Sequence, residues 1–156
     1  MRGTSGDGFV RVADGSARWG IYGAAGVLVR CRGEDGEPRY FVALRSDWTH
    51  QGGTWAIPGG AIDSQETPEE AALREFGEEI GDLIEEYEVV GTHVDDHGGW
   101  TYTTVVIEVP EPFRPPVNLH WETAAVLWVD ADALAALPLF DAFRQTLHVL
   151  EILPPA

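Results

Sequence analysis

The chain has 156 residues, 44% of them hydrophobic, which is enough for one core and argues against two. Its 26 acids against 10 bases leave a formal charge of −16, which excludes an electrostatic footprint for DNA, RNA or an anionic membrane surface. Every base is Arg, so P-loop, Schiff-base and nucleophilic lysines are excluded, and the single cysteine, Cys31, rules out an intrachain disulfide or a cysteine zinc site. That cysteine usage suits a reducing cytoplasm. No stretch approaches the roughly 18 apolar residues of a membrane span, and the polar start Met1 to Gly8 lacks the apolar run of a signal peptide.

In chain order, residues 1–18 are rich in small and polar residues with little periodicity, and read as a flexible or loosely attached arm ahead of a domain spanning 19–156. Ile21 to Arg30 and Arg39 to Arg45 are apolar and β-rich, and the turn-forming run Cys31 to Pro38 joins them as strand, loop, strand. Asp47 to Gly53 is a loop, Thr54 to Ile57 a short extended piece, and Pro58-Gly59-Gly60 is expected to stop it. Tyr87 to Val94 and Trp100 to Val109 are two further strands around a tip at Asp95-Asp96-His97-Gly98-Gly99. A Pro-rich stretch from Pro110 to Pro116 follows. Ala124 to Val129 reads as a buried strand, and Phe140, Phe143, Leu147 and Leu150 recur at helical spacing. Strands, one acidic helix, more strands and a closing helix make a mixed α/β domain.

Charge is concentrated in the middle: eleven acids and one base, Arg74, lie between Asp63 and Glu88. The helix within this window is well marked. Thr67 fits the N-cap, Pro68 the first helical position, Glu70 completes a Thr-x-x-Glu capping box, and Gly81 fits the residue after the C-cap. Ala72, Leu73, Phe76 and Ile80 share one arc, the core face, while Glu75, Glu78 and Glu79 share another. Like charges at i,i+3 and i,i+4 each cost roughly 0.2–0.5 kcal/mol. Three converging carboxylates without a partner are therefore a poor structural choice, and a divalent cation reverses the sign.

The stretch Gly60 to Asp82, GAIDSQETPEEAALREFGEEIGD, resembles the Nudix box, Gly-x5-Glu-x7-Arg-Glu-U-x-Glu-Glu-x-Gly-U with U a bulky aliphatic residue. Gly60, Glu66, Arg74, Glu75, Glu78, Glu79 and Gly81 fill its fixed positions, whereas Phe76 and Asp82 depart from the pattern at the two U sites. Phe76 still fills the core face; Asp82 leaves the apolar anchor to Leu83 or Ile84. The lead-in Trp55 to Gly60 and the strand with Trp128 fit the same family. The resemblance implies an α/β/α sandwich around a mixed β-sheet. It also implies hydrolysis of a phosphoanhydride in a nucleoside diphosphate linked to another moiety, by water attacking phosphorus.

By that resemblance Glu75, Glu78 and Glu79 are metal ligands with the Gly59 carbonyl, and Arg74 holds the helix against Glu66. Arg74 could also pair locally with Glu70 in the favourable i,i+4 order. Hard carboxylate and carbonyl oxygens suit Mg²⁺, with Mn²⁺ as the alternative. The general base is open between Glu78 or Glu79, an acid on the tip Asp95-Asp96-His97, and Glu122. His93, His97 and His120 read as exposed, uninvolved residues. Trp48, Trp100 and Trp121 sit in or beside loops and could stack on a base, whereas Trp55 and Trp128 read as core. Arg45 and Arg114 are candidates for gripping phosphate.

The expected partner is a nucleotide-type small molecule, with a homodimer allowed and no nucleic acid or membrane. Markers of ADP-ribose and dinucleoside polyphosphate hydrolases do not align: the position expected for a Pro falls near His97, and Tyr102 is close to but not at the position of a diagnostic Tyr. The competing reading is a catalytically silent, nucleotide-sensing module of the same fold. The three intact acids oppose it.

Overall fold

The computed structural model describes residues 4–49, 51–81, 84–113 and 122–154. Arg114, His120, Trp121, Asp82 and Leu83 lie outside them. The centre is a mixed sheet. Strand β3 (Ala24–Arg32) pairs in parallel with β8 (Thr101–Glu108) and antiparallel with β4 (Pro38–Arg45). Strand β7 (Glu88–Asp96) closes one edge against β8; β5 (Trp55–Ala56) and β9 (Thr123–Val129) both pair with β4.

Strand β3 reads as an unbroken apolar run because both of its faces are covered. Ala25, Val27, Val29 and Cys31 point to a cluster with Phe76, Ala72 and Ile80 of helix α1 (Pro68–Ile80), while Leu28 joins Val42, Val106, Leu134, Phe143 and Leu147 on the opposite face. That second layer comprises α2 (Ala131–Ala136) and α3 (Asp141–Val149). Helix, sheet and helix form an α/β/α sandwich, as the resemblance implies. Trp55 is buried, and Trp128 packs its ring on Phe41 and Phe113 with centroids 5.3 and 5.0 Å away. Both belong to the core, as their place in strands suggests. None of the described helices is long and apolar enough to cross a membrane.

Three local features differ from the sequence reading. Gly59 and Gly60 do not end an extended piece: with Ala61 they form β6, which pairs with Ala24–Gly26 of β3. Glycine is needed there because a Cβ on Gly59 would lie 2.6 Å from the Ala25 carbonyl oxygen. Helix α2 has one side-chain cap, Asp130 accepting from Ala133 N at 2.8 Å, and is too short for its period to show. The first eighteen residues, read as a flexible or loosely attached arm with little periodicity, contain β1 (Phe9–Arg11) and begin β2 (Ala17–Trp19), an antiparallel pair with Phe9 edge-on to Trp19 at 4.9 Å.

Candidate active site

Helix α1 begins as its sequence dictates. Thr67 Oγ1 accepts from Glu70 N at 3.2 Å, the Glu70 carboxylate accepts from Thr67 N at 3.0 Å, and Gly81 ends the helix at φ 85°. The cap occupies Glu70, so the alternative pairing of Arg74 with Glu70 is not the one the structure adopts. Arg74 grips Glu66 with both prongs of its guanidinium, Nε to Oε2 at 2.7 Å and Nη2 to Oε1 at 2.9 Å. Its Nη1 donates to Glu75 at 3.0 Å and to Glu78 at 3.2 Å, and Nη2 also reaches the Ala61 carbonyl at 2.9 Å. This fork holds the Glu66 carboxyl well below the usual carboxylate range and keeps Arg74 charged throughout.

The acid arc meets β6 at its glycines. A Cβ on Gly60 would lie 2.7 Å from the Glu75 carboxylate oxygens, so the absence of a side chain lets the carboxylate approach the strand. Glu78 is the most exposed of the three, its side chain 58% accessible against 17% for Glu75. Glu79 is the most perturbed. Burial pushes its carboxyl up to about 8, the charges of Glu75 and Glu122 add to the shift, and a hydrogen bond from the Gly59 backbone and the charge of Arg45 oppose it. Burial likewise raises the Glu75 carboxyl, with Arg74 opposing.

The expected residues outside the helix divide into those gathered here and those held elsewhere. Arg45, at the end of β4, is half-buried, interacts with the Glu79 charge, and places its guanidinium 5.1 Å from the Phe140 ring centroid. Glu122, exposed in the turn just before β9, accepts from Ser46 N through its backbone carbonyl at 2.9 Å, and its charge reaches Glu79. Trp48 is 74% exposed on the loop after Arg45. Trp100 is committed to packing: its Nε1 donates to the Trp19 carbonyl at 3.1 Å and Arg18 lies over its ring at 5.7 Å. Asp95 pairs with His97 at 2.9 Å and Asp96 accepts from Gly98 N at 2.8 Å, so both shape the β7–β8 tip.

Tyr102 and Asp63 carry more of the site than the sequence reading gave them. Tyr102, the second residue of β8, sends its hydroxyl against Gly59, whose added Cβ would lie 2.7 Å away; a Cβ on Gly26 would overlap it. Burial and the nearby Glu79 charge keep that hydroxyl protonated. Asp63 faces Arg74 at 3.6 Å. The alternation of β8 could have pointed to Tyr102, whereas Asp63 lies in a loop with no periodic signal.

Among the described residues, no three Asp, Glu, His or Cys side chains enclose an ion as they stand; Arg74 instead engages Glu75 and Glu78. The donor set nevertheless fits a hard divalent cation. It consists of carboxylate oxygens, and the half-buried Glu79 carboxyl, whose ionisation Glu75 and Glu122 oppose, gains most from a cation beside it.

A model of the NUDIX domain matches residues 23–149. A Mycobacterium tuberculosis (strain ATCC 25618 / H37Rv) protein named "Putative 8-oxo-dGTP diphosphatase 3" is 44% identical over 155 residues, covering 96% of this chain and 70% of its own. The crystal structure of RenU, a Nudix hydrolase from M. smegmatis, superposes with a TM-score of 0.85 at 39% identity, covering 97% of this chain and 98% of the other. An Ap4A hydrolase from C. elegans shares the fold at 17% identity, with a TM-score of 0.62 over 82% of this chain and 98% of its own. With the box residues assembled around one helix and the family model spanning most of the sequence, the chain belongs to the Nudix hydrolase family.

Proposed function

We propose that the protein is a divalent-metal-dependent nucleoside triphosphate pyrophosphohydrolase, with Mg²⁺ as its ion and an oxidised purine deoxynucleotide such as 8-oxo-dGTP as its first candidate substrate. The half-buried Glu79 carboxyl, on the same helix as Glu75 and Glu78, carries this reading, because ionising it beside the Glu75 and Glu122 charges needs a cationic partner. The substrate class is supported by the mycobacterial relative named for 8-oxo-dGTP.

Glu75, Glu78 and Glu79, with the Gly59 carbonyl, would hold the ion, which when bound neutralises phosphate charge and makes water a better nucleophile. Arg74 orients Glu75 and Glu78 through Nη1 and is itself fixed by Glu66. Arg45 is the cation assigned to the phosphate chain, beside Glu79 and against Phe140. Trp48 is assigned to the base, with Trp100 backing Tyr102 at a ring separation of 6.2 Å. Of the outlying acids, Glu122 is assigned as general base because its charge reaches Glu79.

The test is a panel of nucleotides with Mg²⁺, scoring monophosphate and pyrophosphate. Turnover of 8-oxo-dGTP well above that of ADP-ribose and Ap4A is expected. Preference for either of the latter would overturn the substrate assignment, and nucleotide binding without turnover would make the protein a sensing module.

A further inference from the structure

Residues 4–22 lie ahead of the stretch matched by the family model, yet they are tied to the loop that leads into α1. Thr4 N donates to Ser64 Oγ at 2.6 Å and Ser64 N donates back to the Thr4 carbonyl at 2.9 Å. Gly6 N donates to Asp63 Oδ1 at 2.8 Å, and the Gly6 carbonyl accepts from Ile21 N at 2.8 Å. The other Asp63 oxygen, Oδ2, faces Arg74 Nη2 at 3.6 Å. One carboxylate thus has one oxygen hydrogen-bonded to the N-terminal segment and the other in a longer ion pair with the guanidinium that organises Glu66, Glu75 and Glu78.

The fit at this junction is close. Gly6 is buried, and a Cβ on it would overlap the Ile62 carbonyl oxygen. The next residue, Asp7, interacts with the Glu75 charge. Beyond it, the β1–β2 hairpin rests on the β7–β8 tip, where Ala13 N donates to the Gly98 carbonyl at 3.1 Å and the Trp19 carbonyl accepts from Trp100. The segment is therefore anchored on the loop before α1 and on the tip after β7. A guanidinium fork with five donors can settle in several arrangements. An acceptor fixed by a backbone N–H narrows them.

We propose that Thr4–Gly8 is a positioning strap for the catalytic helix: through Gly6 N–H and Asp63 it fixes the Arg74 fork, and so the carboxylates that Arg74 orients. The consequence for metal affinity rests on the metal-dependent reading above; the consequence for Arg74 does not.

The experiment combines a Mn²⁺ titration, read from the free-ion EPR signal, with solvent exchange of the Arg74 Nε–H by NMR in the full chain. Gly6→Ala should weaken Mn²⁺ binding about 10-fold, the usual scale for a group supporting a metal ligand, and should speed exchange at Arg74. Asp63→Ala should do the same, and the double variant should add nothing, because both act along one path. Asp63→Asn keeps an acceptor for Gly6 N–H and should recover part of the Arg74 protection. If Gly6→Ala fails to fold, Ser64→Ala removes the Thr4 N acceptor without a clash and should move both readouts in the same direction. Unchanged affinity and exchange in the folded variant, or additive losses in the double variant, would overturn the strap. A wild-type chain that binds no Mn²⁺ would overturn the metal reading alone, since exchange at Arg74 still tests the strap.

Discussion

Arg74 and Glu66 meet in a two-pronged pair, 2.7 and 2.9 Å, eight residues apart and across the start of α1. The Glu66 side chain is only 11% accessible, so the pair is far less screened than a surface ion pair. Because Glu66 titrates below its unfolded value, its contribution is complete above the unfolded carboxylate pKa of about 4.3 and is lost as pH falls through the lower folded value. Glu66→Gln should therefore cost about 1–3 kcal/mol at pH 7. The gap in urea midpoints between wild type and variant should be constant above about pH 5 and narrow as pH falls below about 4; a gap that does not narrow with acid would contradict the pairing.

Glu79 titrates the other way. With its carboxyl pushed up to about 8, the metal-free protein loses stability as pH rises from the unfolded value of about 4.3 towards 8. Glu79→Gln removes that burden, so in EDTA it should melt higher than wild type by a margin that widens across this window. The same variant should turn over at least about 10²-fold more slowly, a trade of stability against function. Melting curves from pH 5 to 9, beside kcat, check both halves.

Cation binding requires the Glu79 carboxyl to ionise. Mg²⁺ binding at pH 7 should release close to one proton, fewer at pH 9, and affinity should rise with pH up to about 8 and then level off. Calorimetric titrations in buffers of different ionisation enthalpy measure the released protons directly. No release at pH 7 would mean that Glu79 is already ionised or is not a ligand.

Glu122 and the hairpin-tip acids should separate cleanly. Glu122→Gln should lose roughly 10²–10⁴ in kcat, the usual worth of a general base, with Mg²⁺ affinity near wild type. Asp95→Asn and Asp96→Asn should leave kcat within about twofold, because these side chains bind His97 and Gly98. If all three variants retain normal kcat, the base is one of the helix carboxylates.

Gly59→Ala tests the approach of β6 to β3. Its Cβ would fall 2.6 Å from the Ala25 carbonyl and 2.7 Å from the Tyr102 hydroxyl, so the strand must move. A destabilisation of about 1–3 kcal/mol with a clear loss of metal affinity is expected. Affinity retained beside that destabilisation, which reports the displaced strand, would remove the Gly59 carbonyl from the ligand set.

The helix, its caps and the placement of its acids were legible in the sequence because every signal there is local. Caps at Thr67, Glu70 and Gly81, the core arc through Phe76 and the acid arc through Glu79 follow from helical spacing alone, and so did the pairing of Arg74 with Glu66 once the box was seen. Strands β3, β4 and β8 were found from their apolar runs, within a few residues at each end.

What lies around the helix was decided only by contacts distant in sequence. Gly59 and Gly60 look like a chain stop until β3 pairs with them, and Tyr102 looks like one more aromatic until its hydroxyl meets Gly59. Residues 4–8 carry no apolar period, so nothing local could show that Gly6 reaches Asp63, 57 positions away. The Glu79 carboxylate has the same covalent structure as that of Glu78; only burial, with the charges of Glu75 and Glu122 adding to it and that of Arg45 opposing, pushes it to about 8, because the cost of a charge depends on the solvent and charges that the fold leaves around it.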